Sequence, residues 1–196
     1  MTQATSKPLT LAEFLQQPET KPPQEYIEGK VIQKPVPQGK HSIIQGELFS
    51  IVNQTIKPQR IGRAFPELRC TFGDRSIVPD LVVFTWDRIP RDENGEISNT
   101  FNLAPDWTIE ILSPNQSQTQ VTKNILHCLQ NGTEIGWLID PSEKTIFVYR
   151  RRQEITVFDR PEMILPPPEF ASQLHLTVND LFAWLLDSRV GNAHPT

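Results

Sequence analysis

The chain lacks the features that mark membrane and secreted proteins. No apolar run among its 196 residues reaches the ~20 residues that a membrane-spanning helix needs. Residues 1–8 contain no apolar signal region, so we expect a cytoplasmic protein. Cysteine is scarce, and the two present, Cys70 and Cys128, do not have the spacing of a metal site. We therefore expect two reduced, buried thiols.

The chain also lacks an excess of positive charge. Its net charge is −4 and its pI is about 5.6. A dedicated nucleic-acid-binding domain typically has a pI above ~9, so that class is disfavoured. An enzyme that meets DNA locally, through a basic strip and metal ions, remains open. We find no internal repeat, no glycine-rich phosphate-binding loop and no Gly-x-Ser-x-Gly elbow.

What is present is a pattern of alternating strands and helices. The periodicity of apolar residues predicts helices at 10–17, 41–56 and 121–131 and a last helix that starts at Thr177. It predicts strands at 25–32, 60–65, 67–72, 77–84, 107–112, 135–140, 145–150 and 154–158. The proline-containing stretch 34–39 and the longer stretch 85–104 are predicted loops. We expect one domain over residues 9–187, a disordered N-terminus at 1–8 and a tail at 188–196.

Two acids interrupt the apolar strands. Glu110 lies within the β-rich segment 107–112, and Asp80 lies within the apolar segment 77–84, where Pro79 predicts a bulge or a sheet edge. A carboxylate in an apolar run costs free energy unless it is paired, protonated or bound to a metal. For Glu110 alone, an edge position or a satisfied ion pair explains the sequence equally well. With Asp80 as a neighbour, a divalent cation becomes the better explanation, because Mg²⁺ prefers one or two carboxylates plus water and substrate oxygens.

These segments together resemble a known family. The matching segments are Ile77-Val78-Pro79-Asp80, Thr108-Ile109-Glu110-Ile111-Leu112-Ser113-Pro114 and Gly136-Trp137-Leu138-Ile139-Asp140-Pro141, preceded by Glu25, Ile27, Glu28, Gly29 and His41. They resemble the Uma family of restriction endonucleases, within the PD-(D/E)XK nuclease superfamily, over about residues 9–186. The resemblance implies an α/β (α+β) fold, with a restriction-endonuclease-like core in which helices flank a mixed central β-sheet. It also implies metal-dependent phosphodiester hydrolysis, with Asp80 and Glu110 as metal ligands and Mg²⁺ or Mn²⁺ as the metal.

The lysine of the superfamily pattern is displaced in this sequence. Two residues after Glu110, where the pattern has lysine, the chain has Leu112. In the resembling family a lysine lies on the following helix, and counting without gaps places that position at Asn124. Its neighbour Lys123 is therefore the predicted site lysine. The alternative is that Lys123 is a solvated helix lysine, because it points nearly opposite the apolar stripe of its helix. We expect His127, one turn further on, to be a surface histidine.

The first hypothesis is accordingly a Mg²⁺-dependent endonuclease that acts on DNA. Asp80 and Glu110 hold the metal, Lys123 positions water or phosphate, and Glu25 and His41 face the cleft as secondary site residues. The rival hypothesis is a non-catalytic binding or regulatory protein that keeps the nuclease fold; the acidic pI and the displaced lysine favour it. A third hypothesis is a different metal-dependent hydrolase with a nucleotide or RNA substrate. The resemblance also suggests a homodimer.

Overall fold

The computed structural model describes residues 9–114 and 116–186, which form four α-helices, two short 3-10 helices and two β-sheets. The helices are α1 (Leu11–Leu15), α2 (Gly39–Ile56), α3 (Gln118–Gln130) and α4 (Val178–Ala183). The strands are β1 (Gln24–Ile27), β2 (Lys30–Gln33), β3 (Gly62–Pro66), β4 (Cys70–Phe72), β5 (Arg75–Ile77), β6 (Leu81–Thr85), β7 (Trp107–Ile111), β8 (Ile135–Asp140), β9 (Thr145–Arg150) and β10 (Thr156–Phe158). The tails predicted at 1–8 and 188–196 lie outside the described residues.

The larger sheet is mixed, as predicted. Its six strands follow the order β10-β9-β8-β7-β6-β3, and β7 and β8 run parallel while the other neighbours run antiparallel. Helix α3 connects the parallel pair, which a two-residue turn cannot do. The smaller sheet has four antiparallel strands in the order β2-β1-β5-β4.

The two helices α2 and α3 pack on opposite faces of β7. The buried face of α2 carries Ile44, Leu48, Val52 and Ile56, which join the main core with Trp107, Ile109 and Ile111 of β7. The intervening residues of β7, Thr108 and Glu110, point the other way because side chains alternate along a strand. On that side α3 approaches closely: a Cβ on Gly136 of β8 would lie 2.3 Å from Ile125 of α3. The alternation thus places Glu110 on the face that α3 covers.

Two predicted strands are each broken in the structure. The predicted strand at 25–32 is a hairpin, because Glu28 and Gly29 both adopt positive φ (52° and 80°) and reverse the chain. The predicted strand at 77–84 is interrupted after Ile77, so that β5 belongs to the smaller sheet and β6 to the larger one. Pro79 lies in this break. Proline is tolerated there because a residue between two strands does not need to donate a backbone hydrogen bond to a neighbouring strand.

Several local predictions are confirmed. Thr10 and Glu13 form a capping box at α1, and Cys70 and Cys128 are free and buried. Helix α3 begins three residues earlier than predicted because Ser117 caps it by accepting from the amide of Gln120. Within the part of the chain that the structure describes, no helix combines the length and apolar character needed to cross a membrane.

Candidate active site

The break between the two sheets brings Asp80 to Glu110. Asp80 precedes β6, whose first residue Leu81 lies opposite Ile109 of β7. Strand β7 extends past this pairing, and Oδ2 of Asp80 accepts the amide of Ile111 at 2.7 Å. Both acids are 3% exposed. Just before β6 begins, the side chain of Asp80 therefore accepts the hydrogen bond that a backbone carbonyl accepts within the sheet. This bond holds Asp80 next to Ile111, the residue that follows Glu110.

A lysine that the sequence prediction assigned to a loop completes this pair. The ammonium of Lys34 lies 2.7 Å from Oδ1 of Asp80 and 3.6 Å from Oε2 of Glu110. It also donates to the carbonyl of Val78 at 2.7 Å. The Lys34 side chain is only 10% exposed. The cation of the site thus comes from the residue after β2, and not from α3.

The hairpin β1–β2 explains why Lys34 reaches the acids. The backbone amide of Lys34 donates to the carbonyl of Pro23, which extends the hairpin by one pair beyond Gln24 and Gln33. Side chains alternate along each strand, so Lys34 lies on the same face as Glu25. The turn at residues 28 and 29 is the sequence signal that could have found this lysine, because a hairpin there predicts the shared face.

Glu25 joins the cluster from β1, as predicted. It is 4% exposed and accepts two hydrogen bonds, from the amide of Val78 to Oε1 at 2.9 Å and from Nδ2 of Asn124 to Oε2 at 3.1 Å. Asn124 is the α3 residue at which the family's lysine was expected. The buried side-chain amide of Asn124 occupies this position and donates its hydrogen bond to Glu25.

His41, which was predicted to face the cleft, lies against Asp80. It begins the buried stripe of α2, and its Nε2 lies 3.1 Å from Oδ2 of Asp80. One turn on, Nε2 of Gln45 donates to the backbone carbonyl of Asp80 at 2.8 Å. Helix α2 therefore fixes both the side chain and the main chain of Asp80.

The placement predicted for Lys123 is corrected by the structure. Lys123 is exposed, whereas Asn124 on the same helix is buried in the cluster. One residue turns a helix by about 100°, so the two side chains cannot face the same way. His127 also departs from its prediction as a surface residue: it is buried, stacks on Phe72 with 4.9 Å between ring centroids, and Nε2 lies 3.1 Å from the Phe72 carbonyl oxygen.

Burial and charge push the three acids in different directions. Burial by itself would raise the pKa of Asp80, but Lys34 and His41 outweigh it and hold that pKa well below its ordinary value. Burial raises the pKa of Glu110 well above its ordinary value and also raises that of Glu25, although Lys34 acts against both. Burial would lower the pKa of Lys34, yet the three carboxylates raise it. Lys34 is therefore charged, and it neutralises Asp80 more fully than it neutralises Glu110 or Glu25.

Two clefts reach the cluster, and Lys34 and Pro35 line both. The first, which we call the Asp80 cleft, has a volume of about 590 Å³ and is also lined by Asp80 and His41. The second, the Glu110 cleft, has a volume of about 380 Å³ and is also lined by Glu25, Glu110 and Asn124. The acids are therefore reached from two sides.

Comparison with known proteins identifies the family. The sequence model of the Uma2 family, described as "Putative restriction endonuclease", matches residues 11–179. The chain belongs to the Uma2 family. The crystal structure of an Anabaena variabilis protein, titled a "putative nuclease belonging to DUF820", is similar with a TM-score of 0.90 and 69% sequence identity, over 91% of this chain and 100% of that one. A comparison with curated proteins finds no match.

These findings establish the restriction-endonuclease-like fold that the resemblance implied. In this member of the Uma2 family, the acids predicted as the site, Asp80 and Glu110, lie together with Glu25 and His41. Lys34 takes the position against the acids that was predicted for Lys123.

Proposed function

We propose that this Uma2 protein is a metal-dependent endonuclease that hydrolyses phosphodiester bonds in DNA. The observation that carries the proposal is the buried cluster of Asp80, Glu110 and Lys34, which is reached from one cleft at Asp80 and from a second at Glu110. Buried ionisable groups with strongly shifted pKa values are typical of active sites. The family description and the name of the Anabaena protein support nuclease chemistry.

The residues present fit a divalent metal in donor type and in charge. Three buried carboxyl groups surround one buried ammonium, so the acids outnumber the cation that lies among them. Hard cations such as Mg²⁺ take oxygen ligands and often need only one or two carboxylates. Within residues 9–114 and 116–186, no three His, Cys, Asp or Glu side chains group as metal ligands, so water and substrate would complete the coordination. Asp80 and Glu110 would hold the metal, with Mg²⁺ or Mn²⁺ as the expected ion.

The remaining chemistry belongs to the chain's own residues. When bound, the metal would lower the pKa of a water molecule and stabilise charge on the phosphate. Lys34 places a fixed positive charge at the carboxylates, where it can orient an attacking water or bind a phosphate oxygen. His41 and the amide of Ile111 hold Oδ2 of Asp80, which fixes the direction in which the remaining lone pairs of Asp80 point.

A non-catalytic role for the same fold has one observation in its favour. Both carboxylate oxygens of Asp80 already have partners: Lys34 at Oδ1, and Ile111 and His41 at Oδ2. A metal bound to Asp80 would have to share these oxygens with Lys34, Ile111 or His41. The cluster would then be a structural ion pair in a protein that binds nucleic acid without cutting it.

Cleavage of supercoiled plasmid distinguishes the endonuclease from the non-catalytic protein. Purified full-length chain is incubated with Mg²⁺ or Mn²⁺, and wild type is compared with Glu110→Gln and with Lys123→Ala as an exposed control. We expect metal-dependent cutting that is lost in E110Q and unchanged in K123A. No cutting of plasmid, single-stranded DNA or RNA by folded wild type would contradict an endonuclease.

A further inference from the structure

The two clefts differ in how their carboxylates are neutralised. In the Asp80 cleft, the ammonium of Lys34 contacts Asp80 at 2.7 Å. In the Glu110 cleft, the same ammonium is 3.6 Å from Glu110. Glu25, on that side, accepts its hydrogen bonds from two uncharged groups, a backbone amide and an asparagine side chain. The carboxyl groups that have no cation within hydrogen-bond distance are therefore those of the Glu110 cleft.

A residue that lines this cleft, Asn124, has a neutral side-chain oxygen with no hydrogen-bond donor among the described residues. The side chain of Asn124 is 4% exposed, and its Nδ2 donates to Glu25. This bond fixes the amide orientation, which leaves Oδ1 buried and without a partner among the described residues. An unpaired buried oxygen costs free energy, and native proteins usually satisfy such groups with a protein donor, a water or an ion.

The three side chains come from three separate elements that meet in one small space. Glu25 lies on β1, Glu110 on β7 and Asn124 on α3, and all three line the same 380 Å³ cleft. Two carboxylates and an amide oxygen are hard oxygen donors of the kind that Mg²⁺, Mn²⁺ and Ca²⁺ take in proteins. A cation here would satisfy Oδ1 of Asn124 and offset the charge of both glutamates without displacing Lys34 from Asp80.

We infer that Glu25, Glu110 and Asn124 form a second divalent-cation site, in the Glu110 cleft, that shares Glu110 with the proposed catalytic metal. The inference rests on the proposed function for its biological meaning, but Glu25 and Asn124 belong to this site alone and its test does not depend on activity. The amide oxygen of Asn124 acts as a metal ligand at the α3 position where the sequence was expected to supply a lysine.

Mn²⁺ binding to the purified full-length chain tests this site without any need for activity. Free Mn²⁺ is measured by electron paramagnetic resonance during a titration of wild type, Asn124→Asp, Asn124→Ala and Glu25→Gln. Gln130→Glu is the control, because it adds the same charge to α3 at an exposed position. Far-ultraviolet circular dichroism establishes that each variant is folded.

We expect N124D to bind Mn²⁺ about tenfold more tightly than wild type, since a carboxylate replaces the neutral oxygen. We expect N124A and E25Q to bind about tenfold or more weakly, and Q130E to match wild type. The gain in N124D cannot arise from misfolding, so it keeps the test decisive even if E25Q unfolds.

Equal affinity in wild type, N124D and N124A would overturn the second site. If Asp80→Asn still weakened binding in that case, the proposed metal at Asp80 and Glu110 would stand. If wild type bound no Mn²⁺ at millimolar concentration, both the second site and the metal dependence of the proposed function would be overturned.

Discussion

The ammonium of Lys34 lies 2.7 Å from the carboxylate of Asp80, although 46 residues separate them in the sequence. The contact joins the residue that follows the hairpin of the smaller sheet to the residue that precedes β6 of the larger sheet. It gives the cluster a fixed positive charge that does not depend on α3.

Replacing Lys34 by methionine should destabilise the protein at neutral pH. Removal of one partner from a buried ion pair leaves an uncompensated charge, which costs about 3–5 kcal/mol. Lys123→Met is the matched control, since Lys123 is exposed and its replacement should change the free energy of unfolding by less than about 0.5 kcal/mol. Urea unfolding at pH 7.5 measures both. Equal stability of K34M and K123M would contradict the ion pair.

The metal-free protein should become less stable as the pH rises through the mildly acidic and neutral range. The pKa values of Glu110 and Glu25 are raised by burial, so the folded state binds protons that the unfolded state releases above about pH 4.3. Their contribution is complete below that pH and is lost as the pH rises through their folded pKa values. Asp80, whose pKa is lowered, has the opposite sign and loses its contribution as the pH falls below about 3.9.

This pH dependence is measured by urea unfolding between pH 4.5 and 8 in the presence of a chelator. Glu110→Gln should flatten the curve, because the amide does not titrate. Added Mg²⁺ or Mn²⁺ should restore stability at the high-pH end, since an ion that binds only the native state stabilises it. If the free energy of unfolding of wild type rose steadily over this range, the prediction would be wrong, because ionisation of the buried glutamates would not destabilise the folded protein.

His41 is expected to act by positioning Asp80. His41→Ala should lower the rate of plasmid cleavage roughly 10–100-fold, the range observed for groups that orient a metal ligand. His41→Gln should recover part of the rate, because an amide can still donate to Oδ2. His175→Ala, at an exposed position, is the control. If H41A cuts as fast as H175A, the contact has no part in catalysis.

The close approach of α3 to the sheet depends on Gly136. A Cβ at this position would lie 2.3 Å from Ile125 and 3.3 Å from Thr108, so Gly136→Ala must shift the Ile125 side chain or α3 itself. We expect a loss of about 1–3 kcal/mol in the free energy of unfolding. Gly46→Ala is the contrasting control: Gly46 is an exposed glycine of α2 with open space around it, and alanine there should stabilise by about 0.5–1 kcal/mol. Thermal unfolding of the two variants should therefore shift in opposite directions.

The local pattern was sufficient for most elements and for the two central acids. Helix α2, strands β7 and β8, and the hairpin of β9 and β10 follow from apolar periodicity, and Asp80 and Glu110 stood out because carboxylates interrupt apolar strands. The capping box at α1 could also be predicted, because its hydrogen bonds join residues that are close in the sequence. The errors fell at 25–32 and 77–84, where the chain turns or changes sheets within an apparently continuous strand.

The sequence by itself determined that two carboxylates would be buried in the sheet, because the cost of an acid in an apolar strand is a local property. Only the tertiary structure decided which cation meets them. Lys123 lies close in sequence to the predicted lysine position but is rotated into solvent, while Lys34, distant in sequence, is carried to Asp80 by a hairpin. Which lysine meets the acids depends on the direction of its side chain and on how the two sheets pack together. Neither property can be read from the local sequence.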